Sequence, residues 1–115
     1  MKKIMIIDDE KMITESLKVA LEYEDKNCVV FNGCASAREY YKEHSDDVNV
    51  ILIDYTLPHM TGCCFIKSLD TKNKKIIYMT GHETEQIREK HNIPEEIHIL
   101  QKPFTIEDVL EIIEE

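Results

Sequence analysis

Hydrophobic residues recur along the chain in five short runs, each of the length of a β-strand. The runs are residues 4–7, 28–31, 48–53, 76–79 and 97–100. Three of them contain stretches that are apolar throughout, where a strand with one solvated face would alternate apolar and polar residues. Strands that are apolar on both faces are typical of a parallel sheet that helices cover on both sides. The runs therefore predict a buried parallel sheet.

Helical patterns fill the segments between the runs. Two segments carry apolar residues at the spacing that places them on one face of a helix. These faces consist of Ile13, Leu17, Ala20 and Leu21 in the first segment, and of Ile106, Val109, Leu110 and Ile113 in the last. A short third helix is expected after Gly62. A fourth helix around residues 84–91 has only Ile87 as an apolar anchor.

Two polar pairs predict where helices begin. In a capping box, a hydroxyl residue at the N-cap and an acidic residue three positions later satisfy each other's backbone N–H groups. Ser36 with Glu39 and Thr105 with Asp108 have this spacing. We therefore expect the second helix to open at Ser36 and the fifth to open at Thr105.

Strands that alternate with helices in this way predict an α/β fold. The expected architecture is a (βα)5 doubly wound five-stranded parallel sheet with the flavodoxin-like strand order 2-1-3-4-5. A chain of 115 residues without low-complexity tracts or linkers is one domain, residues 1–115. Ligands of such sheets bind beyond the carboxyl ends of the strands, where the strand order reverses. The chemistry should therefore be carried by residues that follow the predicted strands.

Acidic residues follow two of these strands. Asp8 and Asp9 come after the first strand and Asp54 after the third, and these two strands are neighbours in the expected order. At about 5 Å and an effective dielectric of about 20, each pair of carboxylates repels by roughly 3 kcal/mol. Such a cluster must recruit a cation or raise a pKa. Oxygen ligands without His or Cys favour a hard divalent ion, and Mg²⁺ is the usual one in phosphate chemistry.

Thr80 and Lys102, after the fourth and fifth strands, complete a set of groups suited to phosphoryl transfer. In this interpretation Asp54 is the nucleophile. The metal and Lys102 neutralise charge on the phosphoryl oxygens, and the Thr80 hydroxyl donates a hydrogen bond to one of them. Phosphoryl transfer asks little more of a protein, because its catalysis is mostly positioning and electrostatics.

Charge and composition restrict which partners and which cellular compartment are expected. The net charge is −9 and no block of Lys or Arg stands out, so no direct DNA contact is expected. The apolar run at residues 4–7 stops at Asp8, which is too short for a signal peptide or a membrane span. We therefore expect a cytoplasmic protein without a membrane partner. The cysteines have no metal-ligand spacing and are interpreted as free thiols; they are Cys28, Cys34, Cys63 and Cys64.

Four stretches at the strand ends form a joint pattern. They are Ile6-Ile7-Asp8-Asp9-Glu10, Val50-Ile51-Leu52-Ile53-Asp54-Tyr55-Thr56-Leu57-Pro58-His59-Met60-Thr61-Gly62, Tyr78-Met79-Thr80-Gly81 and Gln101-Lys102-Pro103-Phe104. With these stretches the chain resembles the receiver domains of two-component response regulators, over essentially its whole length. The resemblance implies that Asp8 or Asp9, Asp54 and the backbone carbonyl of Thr56 hold Mg²⁺.

The resemblance also implies roles and partners. Asp54 would accept a phosphoryl group from a sensor histidine kinase or phosphotransfer protein, and Thr80 and Lys102 would contact that group. The switched surface would then act on a downstream target protein or output domain. The bond between Lys102 and Pro103 would be cis. The chain departs from the family at Ile99, where receivers usually carry Tyr or Phe, so we expect a looser coupling than the family's usual one between Thr and an aromatic ring.

Two other functions are compatible with parts of this sequence. A degenerate receiver would act as an unphosphorylated interaction module, but such modules usually lack an acidic residue or the Lys. A Mg²⁺-dependent phosphatase of similar topology would need a second Asp two residues after the nucleophile, where this chain has Thr56. His82, together with Thr56, is a candidate for tuning the lifetime of the acyl phosphate; the alternative is that His82 is a solvent-exposed loop residue. Both a stand-alone receiver and a segment of a longer regulator stay open.

Overall fold

The computed structural model describes residues 2–115, which form five strands and five α-helices in alternation. The strands are β1 (Lys3–Ile7), β2 (Cys28–Phe31), β3 (Val48–Asp54), β4 (Lys75–Thr80) and β5 (His98–Gln101). The helices are α1 (Lys11–Tyr23), α2 (Cys34–His44), α3 (Gly62–Lys67), α4 (Thr84–His91) and α5 (Ile106–Ile113), with a 3₁₀ turn at Ser45–Asp47. None of the helices in this range is long and apolar enough to cross a membrane.

The sheet is parallel throughout and has the strand order β2-β1-β3-β4-β5. The predicted (βα)5 doubly wound fold is therefore confirmed. The three central strands, β1, β3 and β4, are buried on both faces, which explains why their sequences are apolar without alternation. The edge strands β2 and β5 are partly exposed. The order reverses between β1 and β3, so the carboxyl ends of these strands border the crevice expected to bind a ligand.

Helices cover both faces of the sheet. One face carries α1 and α5, through contacts that include Ile6, Leu52 and Met79 of the sheet with Leu17, Leu21 and Val109 of the helices. The other face carries α2, α3 and α4, through contacts that include Ile7, Ile53 and Tyr78 with Ala37, Phe65 and Ile87. Burial of these side chains is the main stabilising term of the fold. It also fixes the strand ends, and hence the site, relative to one another.

The structure moves several predicted element boundaries by one to three residues, and the starts of α2 and β5 have a clear physical reason. The predicted capping box at Ser36 is wrong: α2 begins at Cys34 with Gly33 as its N-cap, and the Ser36 hydroxyl donates to the Gly33 carbonyl at 3.3 Å within the first turn. Glycine is itself a favourable N-cap, so the N-cap lies three residues earlier than the hydroxyl indicated. The fifth strand begins one residue later than predicted. The backbone N–H of Ile97 is engaged by the Pro94 carbonyl at 3.1 Å and cannot join the sheet.

The remaining helix predictions are confirmed. Thr105 and Asp108 form the expected capping box of α5, with reciprocal side chain–backbone hydrogen bonds. α3 spans only six residues after Thr61, whose hydroxyl accepts a hydrogen bond from the backbone N–H of Cys64 at 3.1 Å. In α4, Ile87 is the one buried residue, so this helix has the sparse anchoring that its sequence predicted.

Candidate functional site

The carboxyl ends of four strands bring the predicted site residues to one edge of the sheet. Asp54 and Thr80 are the last residues of β3 and β4, Asp8 directly follows β1, and Lys102 directly follows β5. The strands are in step at this edge, with Ile7 opposite Ile53 and Thr80 opposite Gln101. The backbone N–H of Lys102 donates to the Thr80 carbonyl at 2.6 Å, which extends the β4–β5 ladder by one bond.

Lys102 is the electrostatic centre of this edge. Its ammonium lies 2.9 Å from an oxygen of Asp54, 3.0 Å from an oxygen of Asp8 and 3.7 Å from an oxygen of Glu10. Burial by itself would lower the pKa of Lys102, but the hydrogen bonds and charges of Asp54 and Asp8 outweigh it and raise the pKa. Lys102 is therefore held as a cation between two carboxylates.

Asp8 is the most enclosed carboxyl of the site, with no solvent exposure. Burial raises the pKa of Asp8, against the opposing effects of the backbone N–H of Glu10 and of Lys102. The Asn32 amide, which sequence analysis missed, donates to the Asp8 backbone carbonyl at 2.9 Å and to the Thr14 hydroxyl at 3.0 Å. Asn32 thus ties the loop that carries Asp8 to α1. No signal in the sequence pointed to it, because 18 residues separate it from Thr14.

Three acidic side chains could share a cation. Asp8, Glu10 and Asp54 each offer a carboxylate oxygen, and these oxygens lie within 4.8 Å of one another. Asp9, which was expected in this group, is exposed and lies outside it. Glu10 takes the place of Asp9 in the cluster. Its backbone N–H donates to Asp8 Oδ1 at 2.9 Å, and the turn closed by this hydrogen bond keeps Glu10 beside Asp8. The metal role of Asp9 stays a prediction.

The donor chemistry of this cluster suits a hard divalent cation. All three groups are carboxylates, and among residues 2–115 no His or Cys belongs to a cluster of metal-ligand size. Carboxylate oxygens are the ligands that Mg²⁺ prefers, whereas Zn²⁺ and Cu²⁺ sites usually include nitrogen or sulfur. The residues present therefore fit Mg²⁺.

The two threonines of the prediction occupy different positions at the site. The backbone N–H of Thr56 donates to Asp54 Oδ1 at 2.8 Å, whereas Lys102 contacts Oδ2, so the two donors orient the carboxylate through different oxygens. The Thr80 side chain is buried, and its hydroxyl accepts a hydrogen bond from the backbone N–H of His82 at 3.0 Å. His82 lines a cavity of about 330 Å³ beside Thr56, at the entrance to α4.

Gly62 sets the path of the loop after Asp54. Its backbone N–H donates to the Tyr55 carbonyl at 2.6 Å. A Cβ atom at this position would lie 2.7 Å from the backbone oxygen of Asp54, so the loop can pack this closely only around glycine. The bond between Lys102 and Pro103 is cis, as the resemblance implied.

Comparisons with known proteins agree with this geometry. The family described as response regulator receiver domain matches residues 4–114. The chain belongs to this family. The receiver is 27% identical to the response regulator receiver protein CpdR of Brucella abortus, over 99% of this chain and 95% of CpdR. It is 30% identical to the transcriptional regulatory protein KdpE of Staphylococcus aureus, over 93% of this chain but only 46% of KdpE.

Solved structures support the same fold. A response regulator receiver domain protein of Clostridium thermocellum superposes with a TM-score of 0.87 at 23% identity, over 99% of this chain and 92% of that one.

Among the curated relatives, the receiver spans nearly the whole of CpdR but less than half of the transcriptional regulators it matches. Phosphorylation-based switching is the general function of the family, whose members are signalling switches that use Mg²⁺ at an acidic pocket.

Proposed function

We propose that Asp54 of this receiver is the phosphoryl acceptor of a Mg²⁺-dependent switch. The observation that carries the proposal is the Lys102 ammonium, 2.9 Å from the Asp54 carboxylate. A partly buried cation held against this carboxylate lies where the negative charge of incoming phosphoryl oxygens must be neutralised. Asp54 is also the last residue of β3, which lies between β1 and β4 in the sheet. Its neighbours at this edge are therefore Asp8, which follows β1, and Thr80, which ends β4.

The transfer step needs only groups that the site supplies. A carboxylate oxygen of Asp54 attacks the phosphorus of a phosphohistidine on the donor protein. The P–N bond breaks, the imidazole nitrogen leaves with the bonding electrons, and an acyl phosphate forms on Asp54. The Thr56 N–H orients the nucleophile, and the Lys102 ammonium neutralises negative charge on the phosphoryl oxygens. No general base is required, because the carboxylate is already the nucleophilic form.

Mg²⁺ would be held by Asp8, Asp54 and the backbone carbonyl of Thr56, with Glu10 and Asp9 as candidates for direct or water-mediated contact. When bound, it supplies further neutralisation of the phosphoryl oxygens. Support comes from the mutual approach of Asp8, Glu10 and Asp54, which repel one another unless a cation lies among them. Lys102 alone leaves this group with excess negative charge.

The switch step begins at Thr80. A phosphoryl group adds roughly −1.5 to −2 charges at Asp54, and the Thr80 hydroxyl is a natural donor to it. This hydroxyl now accepts a hydrogen bond from the His82 N–H, and its own hydrogen is free to donate. A turn of the Thr80 side chain toward the phosphoryl group would pull on the hydrogen bond from His82. The turn at residues 81–83 leads directly into α4, which is anchored by a single buried residue. We therefore propose that phosphorylation shifts this turn and α4, and that the changed surface is the signal.

The partners follow from this chemistry. The donor is a sensor histidine kinase or phosphotransfer protein, and the signal passes to a downstream target protein or an output domain. We propose a cytoplasmic site of action, in agreement with the four unpaired cysteines among the described residues.

Phosphorylation by acetyl phosphate tests the proposal. Intact-mass analysis should detect one phosphoryl group on the wild type in the presence of Mg²⁺ and none in the presence of a chelator. Asp54→Asn should stay unlabelled, while Asp70→Asn, an exposed carboxylate far from the site, should label like the wild type. Equal labelling of the wild type and Asp54→Asn would overturn the assignment. An unlabelled wild type would favour the unphosphorylated interaction module.

A further inference from the structure

A second charged site lies at the opposite end of the sheet from Asp54. A cavity of about 550 Å³ opens between the C-terminal half of α2 and the segment from α3 to β4. We call it the basic cavity; its charged lining residues are Arg38, Lys42, Asp46, Asp70, Lys72 and Lys74. Four cations and two carboxylates leave it with a formal charge of +2, within a chain whose net charge is −9.

Two of the four cations have a role in the fold. Lys74 donates to the Ser45 carbonyl at 2.7 Å, which satisfies an acceptor just beyond the end of α2. Arg38 donates to the Ser68 hydroxyl at 3.0 Å, and its guanidinium lies 5.0 Å from the centre of the Phe65 ring. These contacts join α2 to the segment after α3 and give the cavity fixed walls.

Lys42 and Lys72 have no such role. Both are exposed, and neither ammonium group has an ion-pair or hydrogen-bond partner within residues 2–115. Two carboxylates, Asp46 and Asp70, line the same cavity without neutralising them. The cavity therefore keeps two free positive charges beside two others that the fold has fixed in place. An anionic ligand would relieve this local repulsion.

We propose that the basic cavity is a docking surface for an acidic segment of a partner protein, and that docking does not depend on phosphorylation of Asp54. The strongly negative chain repels acidic partners in general, so such a segment can be received only where the local charge is reversed. The lining is charged and open to solvent, which suits an extended protein segment better than an enclosed small molecule. The surface lies at the amino ends of β3 and β4, whereas Asp54 lies at a carboxyl end.

Binding of fluorescein-labelled hexaglutamate, followed by fluorescence anisotropy, tests the proposal. The double variant Lys42→Glu with Lys72→Glu should weaken binding about tenfold or more. The matched double variant Lys11→Glu with Lys18→Glu reverses two charges on α1 and should weaken it by less than about threefold. Backbone amide NMR shifts caused by the peptide should be confined to residues 38–46 and 68–75.

Several outcomes would overturn the docking surface. They are the absence of saturable binding to the wild type, equal weakening by the two double variants, and localised shifts with inorganic pyrophosphate but none with hexaglutamate. The last result would indicate a site for small anions. Asp54→Asn should bind hexaglutamate as the wild type does, so the test is independent of the proposed phosphorylation. A change above about threefold on labelling with acetyl phosphate would refute independence from phosphorylation.

Discussion

Charge balance among single residues governs the phosphorylation site. One ammonium, Lys102, faces the carboxylates of Asp8, Glu10 and Asp54. The unfavourable free energy of burying a charge is largest at Asp8, because this side chain is fully buried and its pKa is raised. A raised carboxyl pKa means that the folded state favours the protonated form. The contribution of Asp8 to stability is therefore fully present below the ordinary pKa of 3.8 and is lost as the pH rises through the raised value.

We expect Asp8→Asn to be more stable than the wild type near neutral pH without divalent cations, by about 1 kcal/mol. The variant removes a buried charge but leaves Lys102 paired with Asp54 and Glu10. The difference should shrink as the pH falls, because burial raises the pKa of Asp8 and protonation removes the buried charge of the wild type. Urea unfolding in the presence of a chelator, from pH 4 to 7, measures it.

Addition of Mg²⁺ should reverse this order and make the wild type more stable than Asp8→Asn. A ligand at 100 times its Kd stabilises a folded protein by about 2.7 kcal/mol, and the wild type should gain more of this than Asp8→Asn. The exposed Asp9 provides the control, since Asp9→Asn should change the stability without Mg²⁺ very little. If Asp8→Asn were less stable than the wild type without Mg²⁺, the ion pair with Lys102 would outweigh the cost of burial, contrary to this account.

Gly62 is the residue whose replacement should damage the loop after Asp54 most directly. In Gly62→Ala the new methyl group would lie 2.7 Å from the Asp54 backbone oxygen, which, unlike the end of a flexible side chain, cannot easily move away. We expect a loss of about 1–3 kcal/mol in the free energy of unfolding, together with slower phosphorylation. Gly81→Ala is the matched control, because no atom lies within 4 Å of its added Cβ. Equal stability of the two variants in thermal melts would contradict the prediction.

At the level of elements, α4 differs from the other helices in how it is held. Ile87 anchors it to the sheet, and Arg88 holds it to the segment before β5. The Arg88 guanidinium donates to the carbonyls of Pro94 at 2.5 Å and Ile97 at 3.1 Å, and lies 3.9 Å from a carboxylate oxygen of Glu95. An element with one apolar anchor and one polar clamp is suited to local movement.

Loss of the Arg88 clamp should loosen α4 without unfolding the sheet. We expect Arg88→Gln to raise amide hydrogen exchange over residues 84–97 by about tenfold, which corresponds to about 1.4 kcal/mol of local stability. Lys90→Gln changes the same charge two residues away, where no hydrogen bond to described residues is lost, and should leave exchange nearly unchanged. Exchange that rose equally in β1 and β3 would indicate global destabilisation and contradict a local clamp.

At the level of the whole molecule, the question is how tightly the phosphorylation site is coupled to the surface around α4. Ile99 of β5 lies opposite Tyr78 and packs on the sheet face that carries α4. Receivers usually have an aromatic ring at this position, which fills the space that the Thr side chain leaves. Ile99 covers less area and is restricted at χ1, so the coupling should be looser.

We therefore expect the unphosphorylated protein to sample the active surface more, and phosphorylation to shift the population less. Ile99→Tyr should enlarge the response, and Ile99→Leu, with the same volume and no ring, should not. NMR shifts across residues 81–101, with and without a beryllofluoride mimic of the phosphoryl group, measure the response. A complete two-state shift in the wild type that Ile99→Tyr does not enlarge would contradict the looser coupling.

The sequence by itself determined the parallel sheet and the edge at which the chemistry lies. Runs that are apolar on both faces specify central parallel strands, and residues directly after such strands must meet at one edge. This reasoning is local, since it needs only the period of the pattern and the position where each run stops. It was sufficient to bring Asp54, Thr80 and Lys102 together, although 48 residues separate Asp54 from Lys102.

Only the tertiary structure decided which neighbouring side chains join that edge. Asp9 and Glu10 are adjacent acidic residues, and the turn after Asp8 directs Glu10, not Asp9, toward Asp54. The N-cap of α2 and the Asn32 support of Asp8 likewise depend on backbone path and long-range contact. The basic cavity is the clearest case, because its cations come from α2 and from the segment before β4. Packing of the helix against the sheet creates that charge cluster, and no local pattern in the sequence encodes it.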